Sequence, residues 1–288
     1  MRAVLINIIL LLSALPAWAQ IDRLDSLLND LFRNDKEMMQ LINPLSSYYY
    51  LYGTIAGDSK TYYAGRELGD NMYNINGSLY FFHSKGFFIG ASGSWYSQLE
   101  PGYNTTIISG GINTPLNQKK SINFRASYSR YFYNNSDPEI ENVFNNNLGT
   151  GLLLRNNWIG GRLSFNFLFG KDFGMNFTPG IFSHITVARF ANYNKIQLAP
   201  ELSVFIGSET VEYENTGFPG SQPQESLTTE DAYGLLNTQL YLPVCVYLGD
   251  FDFELGYSVN IPSTQDKVNT YPVSSFFSIS IGYLLPLN

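Results

Sequence analysis

The sequence predicts a closed antiparallel transmembrane β-barrel of about twelve strands, and three observations predict it. An export leader opens the chain, segments of about ten residues alternate large apolar with small polar side chains, and the long polar connections fall at odd-numbered turns.

In the leader, Arg2 supplies a positive n-region and Val4 to Leu15 an apolar h-region. Ala17-Trp18-Ala19 then presents small residues at the two positions a signal peptidase reads, which places cleavage before Gln20. The expected organisation is a signal peptide over 1–19, a periplasmic amphipathic helix over 20–44 and an outer-membrane barrel over 45–288. Cys245 is the single cysteine, so neither a lipid anchor after the leader nor an internal disulfide is expected. No second apolar run is long enough to cross a bilayer as a helix.

Aromatic residues make up 16% of the chain, with 21 Tyr and 21 Phe, whereas charged residues make up only 14%. Soluble domains carry about a quarter. A large lipid-facing surface accounts for the deficit. The net charge of -7 argues against nucleic acid as a partner, because phosphate binding needs a cationic surface.

After the leader, Ile21, Leu24, Leu28, Leu31 and Phe32 recur at helical spacing, with Asp22, Arg23, Asp25, Asp30 and Arg33 on the other faces, and Pro44 ends the helix. The apolar stripe is too narrow to span and too regular to stay uncovered. The expectation is a plug, formed by Ile21 to Ile42, at or partly inside the periplasmic mouth; an interfacial helix on the inner leaflet is the alternative.

From Ser46 the period changes to that of strands. The expected segments are Ser46 to Arg66, Tyr73 to His83, Phe87 to Gln98, Thr105 to Thr114, Ser121 to Phe132 and Leu148 to Arg155. They continue with Gly161 to Gly170, Phe182 to Phe190, Gln197 to Ser208, Leu235 to Leu248, Phe251 to Ile261 and Ser275 to Leu285. Successive strand side chains point to opposite faces. Ile122, Phe124, Ala126 and Tyr128 thus alternate with Asn123, Arg125, Ser127 and Ser129, and Leu163, Phe165, Phe167 and Phe169 with Arg162, Ser164 and Asn166. Phe251 to Ile261 and Phe277 to Leu285 repeat the pattern. One face is read as bulky and apolar, the other as small and wet.

A soluble β-sandwich with the bulky face as its core would share that alternation. The loops decide against it. Connections after the second, sixth and tenth strands are tight, and those after the fifth, ninth and eleventh are long: Tyr133 to Asn147, Glu209 to Gly234 and Pro262 to Ser274. With both termini periplasmic, every odd-numbered connection lies outside the cell, where outer-membrane barrels carry their long loops. Lys171 to Gly180, containing Pro179, is read as the seventh connection.

The run Tyr63-Ala64-Gly65-Arg66-Glu67-Leu68-Gly69, with Tyr80 and Ser84-Lys85-Gly86 after it, resembles a Bacteroidetes-type family of outer-membrane β-barrel proteins. Ser127 to Tyr133 and the closing strand Phe277 to Leu285 fit the same resemblance, which covers most of the chain after the leader. It implies a twelve-strand barrel and no established reaction, so it carries over no catalytic residue.

Catalysis needs a nucleophile, a base and an orienting group close together. The two histidines, His83 and His184, adjoin Ser84 and Ser183, which invites comparison with barrel lipases. Neighbouring strand residues face opposite ways, however, so neither pair meets the requirement for hydrogen-bond reach. Cys245 shares lumen parity with Asn237, Gln239, Tyr241 and Tyr247 and reads as packing. Asp137, Glu139 and Glu141 in one loop, and Glu225, Glu230 and Asp231 in another, match no calcium-loop spacing and read as solvated acids. Neither a metal site nor a cofactor is expected. Trp95, Tyr96, Tyr131, Phe132 and Tyr133 near the extracellular strand ends read as a membrane girdle, with sugar stacking as the alternative.

One constellation stands out. Arg125, Arg162, Glu201, Asp252 and Glu254 all have polar-face parity in the first third of odd-numbered strands, which predicts a charged layer near the periplasmic mouth. Such a layer either fills the barrel as ion pairs or sets a field that selects polar solutes. Two functions follow: a narrow, porin-like channel for small polar solutes, or a closed structural or surface-interaction barrel working through its acidic loops. A lipase-like enzyme is a third reading. Expected partners are outer-membrane lipid and lipopolysaccharide, with small polar solutes under the channel reading.

Overall fold

A computed structural model describes residues 48–63, 65–68, 71–99, 102–134, 144–156, 158–190, 194–214, 227–263 and 271–287. The expected leader, the expected plug helix and the acidic residues Asp137, Glu139, Glu141 and Glu225 lie outside the described residues.

The described residues form a closed barrel of 12 antiparallel strands. They are β1 (Tyr49–Asp58), β2 (Asn74–His83), β3 (Phe87–Tyr96), β4 (Tyr103–Pro115), β5 (Ile122–Tyr133) and β6 (Phe144–Arg155). The rest are β7 (Ile159–Gly170), β8 (Phe173–Ser183), β9 (Glu201–Glu214), β10 (Leu227–Leu248), β11 (Phe251–Pro262) and β12 (Ser274–Leu287). Each strand pairs with the next, and β1 closes the ring on β12. Two short strands, Ile185–Arg189 and Lys195–Leu198, prolong the β8–β9 hairpin, and the second pairs with β10. Closure joins the two edge strands of the sheet, as hydrocarbon surroundings require.

Alternation sorts the faces. On β12, Phe277, Ile279 and Ile281 are 59%, 57% and 48% exposed, while Ser278 and Ser280 between them are buried. Ile75, Leu79, Phe87, Ile89, Leu255 and Ile261 are exposed in the same way. Burying one such side chain is worth roughly 1.5–3 kcal/mol, so a continuous outward belt of them requires hydrocarbon around it. No described helix is long and apolar enough to cross a membrane; the strands do the crossing.

The turns Ser84-Lys85-Gly86 and Gly249-Asp250 lie at one end of the barrel, here the turn rim. The strand ends that flank residues 134–143, 215–226 and 263–273 lie at the other, the loop rim.

Several boundaries differ from expectation. The seventh connection is not Lys171 to Gly180 but the tight turn Lys171-Asp172, and Pro179 lies inside β8. The ladder explains this: β8 pairs with β9 at Asn176↔Gly207 and Phe177↔Ile206, then resumes at Gly180↔Ser203. A proline has no N–H to give, so it is tolerated where pairing is already interrupted. The first segment ends at Asp58, and Tyr62–Tyr63 with Arg66–Glu67 forms a separate small hairpin. β6 begins at Phe144, and β9 and β10 run on to Glu214 and from Leu227, so Glu230 and Asp231 belong to a strand and not to a loop.

Candidate functional site

Inward positions are not uniformly small. Tyr52, Tyr80, Phe82 and Phe88 pack together on β1 to β3, with Tyr50 and Leu284 against them. Ile107, Tyr131 and Leu168 pack on β4, β5 and β7, joined by Tyr133 and Phe144. The girdle reading is corrected accordingly. Tyr96 and Tyr131 are buried, and Tyr133 packs on the inner cluster and donates its hydroxyl to the Phe144 carbonyl at 2.8 Å. Phe132 does face outward, at 49% exposure, and Trp95 packs beside the exposed Tyr73 at 5.6 Å.

These rings lie along the wall. Tyr80 sits over Gly90, Phe88 over Gly111 and Phe182 over Gly160, each glycine being the ring's direct partner on a neighbouring strand. A Cβ at any of these glycines would meet the ring within van der Waals distance. Tyr241 and Tyr52 use Gly256 and Gly282 diagonally in the same manner. Between the rings the wall is amide and hydroxyl, with Ser109 bonded to Ser129 at 2.8 Å and Asn147 donating to Asn166 at 3.2 Å.

The five charged residues singled out from sequence lie on these inward positions, within the first few residues from the turn rim. Arg162 is paired with Glu201 across β8, and the gap is open because the intervening residue is Gly180, where a Cβ would lie 3.2 Å from the Glu201 carboxylate. Asp252 accepts from the Tyr52 hydroxyl at 3.1 and 3.2 Å. Glu254 accepts from the Tyr241 hydroxyl and, at 3.6 Å, from the Cys245 thiol. Arg125 is buried on β5. The structure therefore brings Arg162 and Glu201 together and gives Asp252 and Glu254 a tyrosine each, with Arg125 at an inward position of β5. Sequence reasoning missed Arg155, which follows Gly149, Gly151 and Leu153 on the same parity of β6. It also missed Lys195, buried with its ammonium 5.0 Å from the Tyr247 ring. Arginines thus occupy β5, β6 and β7, and carboxylates occupy β9 and β11.

At the loop rim the hairpin after β1 turns inward. Tyr62 stacks on Phe276 at 5.0 Å and donates its hydroxyl to the Ser275 carbonyl at 3.3 Å. Burial raises the Tyr62 phenol above its ordinary value, which keeps it a neutral donor. Arg66 reaches the Ser263 carbonyl at 3.4 Å and lies 4.2 Å from the Tyr271 ring. Gly65, at φ +80°, sits against the Asn237 side chain of β10.

The serine–histidine pairs are occupied by local structure. His83 Nδ1 accepts from the Lys85 amide at 2.9 Å, Ser84 Oγ accepts from the Tyr48 amide at 3.2 Å, and Ser183 donates to the Trp158 carbonyl at 2.7 Å. Among the described residues, no three metal-ligating side chains cluster.

A closed barrel with an apolar belt outside and a polar, ring-buttressed lumen defines the class: an integral membrane β-barrel of the outer-membrane type. The sequence matches no protein-family profile and no curated protein. By fold it is similar to the KdgM porin, at 10% identity and TM-score 0.45, over 83% of this chain and 98% of that one. It is likewise similar to the NanC porin, at 8% identity and TM-score 0.45, over 82% and 98%. A third similar structure is the translocator domain of the autotransporter NalP from Neisseria meningitidis, at 10% identity and TM-score 0.43, over 94% and 98%.

Proposed function

We propose that the barrel is a narrow channel for small polar solutes, with both termini periplasmic and the loop rim outside the cell. The observation that carries this reading is the seating of inward rings over glycines of adjacent strands, which spends the bulk of the aromatics along the wall and not across the bore. Arginines on β5 to β7 and carboxylates on β9 and β11 add a field across the lumen that favours polar over apolar solutes. The Bacteroidetes-type assignment belongs to the same proposal and rests on the residues of the resemblance. Purified full-length protein in planar bilayers tests the channel: steady ohmic steps are expected, and silence from heat-modifiable, folded protein removes it.

A closed structural or surface-interaction barrel is the second reading. It is favoured by the near-complete burial of Asn237, Asn260 and Ser258 and by the hairpin turned into the mouth. The same bilayer recording separates the two.

A further inference from the structure

We infer that the hairpin Tyr62–Tyr63/Arg66–Glu67, seated on the buried amides of Asn237 and Asn260, is the constriction that limits the bore. The inference rests on the channel reading and deepens it.

The hairpin leaves β1, yet Gly65 reaches the Asn237 side chain on β10, so it spans the inner surface past β12 and β11. It is held there from below and from the side. Tyr62 stacks on Phe276, an inward position of β12, and Ser274 Oγ donates to the Gly65 carbonyl at 3.2 Å. Arg66 clamps the Ser263 carbonyl, and Lys60 pairs with Glu67 at 2.9 Å, tying the base of the hairpin to itself. Gly65 is required twice over. Its φ of +80° is strained for any other residue, and a Cβ there would overlap the Asn237 amide.

The floor has its own chemistry. Asn237 Nδ2 donates to Asn260 Oδ1 at 3.0 Å, and Gln239 Nε2 donates to the same oxygen at 3.1 Å. Both asparagines are 1% exposed, and Asn237 Oδ1 and Asn260 Nδ2 have no hydrogen-bond partner in the protein. With Gly65 against it, this buried amide pair is the seat on which the hairpin rests.

The test compares the full-length chain with two variants: residues 61–68 replaced by Gly-Gly, and Gly65→Leu, which lifts the hairpin without shortening the chain. Heat-modifiable mobility establishes that each is folded. In planar bilayers in potassium chloride, both are expected to conduct severalfold more than the parent, and proteoliposomes should begin to admit raffinose as well as arabinose. Conductance and size limit equal to the parent in folded variants overturn the constriction while leaving the channel reading intact. A silent parent with conducting variants supports the constriction and overturns an open resting channel. Silence from all three overturns both.

Discussion

The Tyr52 hydroxyl on β1 donates to the Asp252 carboxylate on β11, passing β12 at Gly282, where a side chain would stand in the way. A hydrogen bond to a carboxylate is worth roughly 1.5–3 kcal/mol, with the lower end expected for a part-buried bond. Tyr52→Phe should therefore lower the stability of the barrel by about that lower figure, and Gly282→Ala by more, because it displaces both partners. Urea unfolding from lipid vesicles measures both, and equal effects would mean that the bond does not pass through the gap at Gly282.

Arg162 and Glu201 are paired with side chains only 14% and 16% exposed. Breaking a buried pair from one side costs roughly 3–5 kcal/mol, and partial exposure lowers that range here. Arg162→Met should destabilise the protein more than the double variant Arg162→Met/Glu201→Met. A double variant less stable than the single one would show that the pair does not act as a unit.

On the lipid side, Ile89 of β3 is 59% exposed. Ile89→Arg is expected to cost roughly 2–4 kcal/mol if the residue lies near the bilayer midplane, and less towards an interface. Ser92→Arg on the inward face of the same strand should assemble with a smaller loss but alter conductance. Reversal of that order would exchange the two faces.

Orientation is open to chemical labelling in a Cys245→Ser background. With the loop rim outside, Asp172→Cys should react with a membrane-impermeant maleimide on intact cells. Lys119→Cys, in the connection between β4 and β5, should react only after the outer membrane is permeabilised. The opposite pattern would invert the barrel.

The strands were legible because alternation on β5, β7, β11 and β12 is regular, and the inward parity of Arg125, Arg162, Glu201, Asp252 and Glu254 follows from it. Parity on β5 also pointed Tyr131 and Tyr133 inward, since they continue the series Arg125, Ser127, Ser129. Residue type outweighed parity there, and the two were read as girdle. β8 was hidden by Pro179, whose tolerance depends on a gap in pairing with a strand far along the chain. Leu236 and Asn237 are both buried because Leu236 is an extra residue of β10, left between the pairs Ile206↔Leu235 and Phe205↔Asn237, and this bulge is defined only by pairing with another strand. The inward hairpin was equally invisible, because its contacts lie on β10 and β12, remote in sequence.

A ring seated on a neighbour's glycine also decides which pairings are admissible while the strands assemble. If β3 slid by two residues along β2, Tyr80 would meet Phe88 or Ser92 in place of Gly90; a slip of one would turn an entire face of the strand the wrong way. Phe88 checks β4 through Gly111, and Phe182 checks β7 through Gly160. The notches therefore act as a stencil for strand alignment, and transplanting one strand from another barrel would fail at these rings even where the hydrophobic alternation matched.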